Sequence, residues 1–210
     1  MKRRIVVIGG GGHAKVLISV LKKCSYHVVG YTDSRDRGNI LGAKYLGSDG
    51  ILKEIAKRKS RPEAIIGIGK VNSSVSRLKM QRDVRKLGFR VPAIYSPRAI
   101  VNEDVVLGEG TVIFDGAVVN SGTRIGDACI INTNSTVEHD CRIGDDVHVG
   151  PGVAVSGGVE IGQHCMIGVG ACIRHGVTIA SKVLVGAGAT VTGNLEGAGT
   201  YVGTPARKVL

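Results

Sequence analysis

Tryptophan is absent from this 210-residue chain, and phenylalanine and tyrosine are so few that aromatics make up only 3% of it. The hydrophobic fraction is nonetheless 43%, and 32 residues are glycine. Few rings with much glycine, valine and isoleucine suggest many tight turns filled by small aliphatic side chains, as in a repeat fold. The five cysteines are an odd number and include no C-x-x-C spacing, which speaks against a disulfide framework or a zinc ribbon. No stretch of about 20 apolar residues occurs, so no membrane span is expected. The apolar run in MKRRIVVIGGGGHAK is too short before its glycines for a signal peptide. A cytoplasmic protein is expected.

Acidic side chains are scarce in the first half. Residues 1–98 hold 22 Lys and Arg against 6 Asp and Glu, a net +16, whereas residues 99–210 hold 6 against 11, a net −5. Such opposite characters suggest two domains. The basic one suits an anionic ligand, and nucleotide phosphates are one candidate. No aromatic stacking set or nucleic-acid motif accompanies the charge, so nucleic acid is not an expected partner.

The second half carries a countable repeat. Stepping by six from Leu107 through Ile113, Val119 and Ile125 to Val191, all fifteen positions are Leu, Ile or Val. The position two before each is small or β-branched. Residues two apart share a strand face, so a large aliphatic column runs beside a small one. Cys129, Cys141 and Cys165 fall in the small column and are expected to be buried packing. Ile125-Gly126, Ile143-Gly144 and Ile161-Gly162 recur every 18 residues. Three hexapeptides therefore make one coil of a triangular prism, with these glycines read as sharp corners. About five coils stacked roughly 4.8 Å apart give a prism some 24 Å long.

The first half reads differently. Arg4–Ile8 is a short apolar strand, followed by glycines and by helical spacing over residues 15–23. Gly9, Gly11 and Ala14 fit G-x-G-x-x-G/A, a loop whose backbone N–H groups can hold a phosphate. A second strand, His27–Thr32, ends at Asp33, near where an acid commonly contacts a ribose. A strand is expected at residues 64–69, a helix at 73–87, a short strand at 90–94 and a linker at 95–97. Residues 1–97 are thus a Rossmann-like domain and 98–210 the repeat domain. Fewer than 100 residues hold at most half of a dinucleotide fold, so a mononucleotide-linked ligand fits better than NAD.

A reaction that takes a proton from an amine or hydroxyl needs a base, and one that develops an oxyanion needs a donor. Histidine is the natural base near neutral pH. His139 lies between Glu138 and Asp140, and a carboxylate beside the imidazole raises its basicity and fixes its tautomer. His148 is a polar ring in a column otherwise made of Val112, Ile130, Met166 and Leu184; a satisfied buried histidine is the alternative reading. His164, in a column with Ala128, Asp146 and Lys182, reads as solvated. His175 lies two coils beyond His139, with Gly157 leaving an open groove between them.

The Gly9-Gly-Gly-Gly-His13 opening precedes a hexapeptide helix bearing Asn132-Thr-Asn-Ser-Thr-Val-Glu-His139-Asp140. Val147-His148-Val-Gly-Pro-Gly152 and Tyr201-Val-Gly-Thr-Pro205-Ala-Arg follow. This arrangement closely resembles the hexapeptide-repeat sugar O- and N-acetyltransferases of the sialic-acid and bacillosamine/perosamine type, over nearly the whole chain. The resemblance implies an α/β Rossmann-like domain followed by a left-handed parallel β-helix, assembled as a homotrimer with sites between subunits. It implies His139 as general base, Asp140 as the carboxylate that tunes it, and His148 as a holder of the acetyl-CoA thioester. Val169 and Ala187 would line the acetyl-CoA along the later coils. Gly11, Gly12, His13, Asp33, Ser34, Gly69 and Asn72 would bind the nucleotide-sugar. The family often has Glu where this chain has Asp140, one methylene shorter, so a longer or lost hydrogen bond to His139 is expected. Many relatives carry paired acids where this chain has Asp33-Ser34-Arg35, which leaves the base open among uracil, guanine and thymine. The histidines lack the close H-x4-H pair of the carbonic anhydrases built on this helix, so no metal is expected.

The expected function is acetyl-CoA-dependent N-acetylation of a nucleotide-linked amino sugar by direct transfer, in polysaccharide biosynthesis. One alternative is O-acetylation of sialic acid or another sugar hydroxyl. The other is a non-enzymatic β-helix assembly module, which His148 in its apolar column speaks against.

Overall fold

A computed structural model describes residues 2–70 and 77–209. In the first domain, strand β1 (Arg4–Ile8) lies between β2 (His27–Thr32) and β3 (Glu63–Ile66), all parallel. Ile5 to Ile8 are buried without alternation, as a covered parallel strand requires. Helix α1 (Gly12–Lys23) lays Ala14, Leu17, Ile18 and Leu21 on this core. Helices α2 (Leu52–Ala56) and α3 (Arg77–Lys86) complete the domain. The start of the helix expected at residue 73 and the predicted site residue Asn72 lie outside the described residues. The strand expected at 90–94 does not form. Pro92 has no N–H to give a ladder, and only the Arg90 carbonyl accepts a bond from the sheet, from Ala64 N at 2.9 Å. Ile94–Tyr95 pairs instead with Val112–Ile113 in the prism.

The prism has faces of eight, six and five strands. Up to the last two strands of the eight-stranded face, successive strands on a face are parallel and 18 residues apart, as where Ile130–Ile131 lies between Val112–Ile113 and His148–Val149. About six turns are present, one more than counted from Leu107, because Ile94–Tyr95 and Ile100–Val101 open an earlier coil. The aliphatic column points inward and forms one continuous core. The small column has a second use. The Thr111 and Thr123 hydroxyls donate to carbonyls fifteen residues on, Gly126 O at 2.7 Å and Glu138 O at 2.8 Å. The thiols of Cys129, Cys141 and Cys165 do the same to Gly144, Ser156 and Ala180, at 3.1, 3.3 and 3.1 Å. These side chains pair with partly buried carbonyls of the next corner, in keeping with the rule that buried polar groups find partners.

The repeating glycines are small for a different reason than the sequence suggested. Gly126 has an ordinary φ, but a Cβ there would lie 2.3 Å from Asp145 Oδ1 in the next coil. The sharp turn falls two residues later, where Ala128 takes a φ of 57°.

The two domains share a core. Val112, Phe114 and Ile130 belong to the first domain's hydrophobic cluster. They stand on the prism face that also carries His148, so that column is apolar because a neighbouring domain covers its beginning. At the other end, Gly199–Val202 pairs with Val183–Val185, and Arg207–Lys208 returns antiparallel to close the edge. Among the described residues no helix is long and apolar enough to cross a membrane.

Candidate active site

Six of the seven residues predicted to hold the nucleotide-sugar line one cleft of about 540 Å³: Gly11, Gly12, His13, Asp33, Ser34 and Gly69. Gly11 caps α1 without a side chain, and nothing lies within 4 Å of where a Cβ would stand on Gly11 or Gly12. The helix's first N–H groups therefore face open space suited to a phosphate. Asp33 turns back on the loop. Its Oδ2 accepts the Gly10 N–H at 2.8 Å, and its Oδ1 accepts from Ser34 Oγ at 3.1 Å and Arg35 N at 3.2 Å. Burial opposes its charge, but these donors and nearby Arg37 hold its carboxyl below the usual range. Asp33 thus shapes the glycine loop as well as the cleft.

His13 closes the cleft's inner end, its ring edge-on to Phe114 at 5.3 Å. Burial, with Arg77 and His148 nearby, pushes its pKa down to about 3. His148 is also lowered, chiefly by burial. The unfolded chain takes up protons on such rings near pH 6.5, while the fold refuses one at His13 until about pH 3. The unfolded state then binds more protons, so stability is full above about pH 6.5 and declines as pH falls toward 3. Melting temperatures measured between pH 8 and 5 are expected to fall, and His13→Gln to flatten that slope. An equally steep slope in the variant would remove His13 as its source.

His139 stands exposed at a prism corner. Its Nδ1 lies 2.8 Å from Asp140 Oδ2, so the shorter acid makes the bond that was expected to lengthen or vanish. Glu138 is engaged elsewhere, accepting from Asn120 Nδ2 at 2.8 Å. With Asp140 on Nδ1, Nε2 is left to accept a proton. The ring lies over Gly157 in the next coil, where a Cβ would come within 2.6 Å of Nε2. The groove expected between His139 and His175 is therefore occupied by His139 itself.

His148 is not beside His139. It is buried at the domain seam, with Nδ1 at 2.7 Å from the Lys70 carbonyl and Nε2 at 2.9 Å from Asn132 Nδ2. Val169 and Ala187 stack exposed at the corner that begins the six-stranded face; His139 stands at the corner that ends it. A groove of about 560 Å³ along the five-stranded face holds none of the predicted residues. Among the described residues no group of three or more His, Cys, Asp or Glu could hold a metal ion.

Residues 4–81 match the family model of the PglD N-terminal domain, and residues 122–157 and 158–193 match that of the bacterial transferase hexapeptide (six repeats). A perosamine N-acetyltransferase from Caulobacter crescentus, solved as a histidine-to-asparagine variant with CoA and GDP-perosamine, superposes with a TM-score of 0.92. It is 36% identical over 98% of this chain and 96% of its own. The chain belongs to the hexapeptide-repeat sugar acetyltransferases. The acetyltransferase domain of PglB from Neisseria gonorrhoeae, with acetyl coenzyme A, has a TM-score of 0.92 at 32% identity, covering 100% of both chains. WeeI from Acinetobacter baumannii has a TM-score of 0.86 at 28% identity, over 99% of this chain and 100% of its own. No curated protein sequence matches.

This acetyltransferase also holds a set of buried charges that the sequence did not single out. Lys70, Arg77 and Asp146 are each 1% exposed or less. Arg77 Nε donates to Ala128 O at 3.0 Å across the seam, and its Nη1 donates to Ile66 O and Ile68 O. Burial lowers its pKa to about 10, which leaves it charged. His164, expected to be solvated, bonds Asp146 Oδ2 through Nδ1 at 3.0 Å.

Proposed function

We propose that this enzyme transfers the acetyl group of acetyl-CoA directly to the amino group of a nucleotide-linked amino sugar. The observation that carries this reading is the His139–Asp140 pair at an open corner, in a chain whose glycine cleft suits a nucleotide. The CoA and GDP-perosamine bound to the Caulobacter relative support both substrates. In the reaction, the amine nitrogen attacks the thioester carbonyl. His139 Nε2 takes the amine's proton as the C–N bond forms. Collapse of the tetrahedral adduct breaks the C–S bond, and the CoA thiolate leaves and is protonated. Asp140 stabilises the imidazolium that forms in between. His148, with both nitrogens engaged inside the chain, acts on the thioester site through Asn132. Val169 and Ala187 line the CoA. Because they stand at the opposite end of a face from His139, a groove between copies brings both to one site, which supports a homotrimer. Its free thiols fit the cytoplasm.

The test is CoA thiol release with acetyl-CoA and a panel of UDP-, GDP- and dTDP-amino sugars beside free sialic acid, with gel filtration of the same sample. Release with one amino sugar is expected, from a species of trimer mass. Release with sialic acid alone would replace the reading by O-acetylation, and elution at monomer mass would remove the trimer. A finer probe is Gly157→Ala, which needs no unusual φ but displaces the His139 ring. A misplacement near 1 Å lowers turnover by up to about 10²-fold, so kcat is expected to fall with the melting temperature nearly unchanged.

A further inference from the structure

The seam between the domains contains an ion pair for which the reaction has no direct use. Lys70 Nζ lies 3.0 Å from Asp146 Oδ2 and donates to the Asp146 carbonyl at 2.9 Å, with both side chains all but inaccessible to water. His164 Nδ1 meets the same carboxylate oxygen. Replacing such a pair by well-packed apolar residues is often neutral for stability. Its value here therefore lies in what it positions.

The Lys70 carbonyl can only accept, so His148 Nδ1 must carry the proton in the 2.7 Å bond between them. The Asn132 amide confirms the assignment. Its Oδ1 accepts the Thr133 N–H at 2.8 Å, so its Nδ2 faces His148 and donates to Nε2 at 2.9 Å. The ring is held as the Nδ1–H tautomer, whereas a free imidazole prefers its proton on Nε2. One N–H of Asn132 is thereby committed, and the direction of the other is set.

We propose that Lys70 is a positioning residue: pinned by Asp146, it holds its carbonyl against His148, locks that ring's tautomer and so orients the Asn132 amide. Lys70 directly follows Gly69 on the rim of the nucleotide cleft, and Asp146 lies seven residues after His139. The buried pair thus ties the cleft to the prism at the point where His148 sits. The kinetic consequence rests on the acetyl-transfer reading, whereas the tautomer does not.

The experiment is nitrogen-15 NMR of histidine-labelled intact protein, with His148 assigned by loss of its signals in His148→Asn. The wild type is expected to show a protonated Nδ1 and an accepting Nε2; a proton on Nε2 would overturn the proposal. Lys70→Met/Asp146→Leu removes both charges together and leaves neither unpaired. In it the His148 signals are expected to move toward a mixture of tautomers. Its kcat should fall roughly tenfold, the kinetic equivalent of one neutral hydrogen bond, with KM for both substrates little changed. Lys70→Arg, which keeps a cation on Asp146, is expected to retain the Nδ1–H pattern. A double variant with an unaltered tautomer and full kcat would also overturn the proposal. Should that variant fail to fold, the wild-type spectrum and Lys70→Arg decide. If the wild type acetylates no amino sugar, the acetyl-transfer reading falls, and the spectrum still decides the tautomer.

Discussion

Replacing His139 by alanine is expected to lower kcat by about 10²–10⁴-fold, the usual loss when a general base is removed. The ring is exposed, and its one strong partner is Asp140 at 2.8 Å. Truncating an exposed side chain changes stability by about 0.5 kcal/mol at most. The melting temperature should therefore stay where it is, which separates lost chemistry from lost fold. KM should move little, because the imidazole's interaction with substrate strengthens only as the proton transfers. Asp140→Asn should give a smaller fall, since the base remains but its orientation and the stabilisation of its cation weaken. Steady-state thiol release measures both variants. An unchanged rate in His139→Ala would remove it as the base.

The second large effect is on stability. Lys70→Met is expected to cost about 3–5 kcal/mol, because it leaves a buried charge without its main partner. Asp146 cannot recover that loss from water: its side chain is 0% exposed, and its Oδ1 has no hydrogen-bond partner even with Lys70 in place. Domains of this kind are stable by about 5–15 kcal/mol in total, so the single variant gives up a large share. Lys70→Met/Asp146→Leu should recover most of it. Urea unfolding of the three proteins measures the difference. A single variant within about 1 kcal/mol of wild type would mean that Asp146 is stabilised without Lys70.

The prism was legible because its signal is local and periodic. A residue every six positions must fill the same inner corner, and no distant contact is needed to see it. The glycine loop and α1 were legible for the same reason. The His139–Asp140 pair was legible because the partners are adjacent, although its bond length was not. His148 stood out as a misfit in its column, but the cause of that column's apolarity did not. The column faces outward, and what covers it comes from earlier in the chain. Lys70 and Asp146 are 76 residues apart, and a lysine in a basic domain looks like any solvated lysine. Asp146 was in view only as a neighbour of His164 in the repeat register. A polar residue in such a column is a signal that could have found it, had the covering domain been placed. Pro92 was a local sign against the strand expected at 90–94.

Every sixth residue from Asp104 to Gly188 takes a left-handed backbone conformation. Eight of these fifteen positions are glycine, and the others include Asp140, Asp146 and His164. An L-residue there gives up about 1 kcal/mol relative to glycine, so each filled position trades stability for a side chain. The carboxylate beside His139, the partner of Lys70 and the imidazole that braces it all occupy such positions. The prism is therefore a rack of interchangeable mounts at six-residue pitch, on which a polar group can be set or cleared without disturbing the inner columns. Gly157-Gly158, one coil above His139-Asp140, is the same mount left bare.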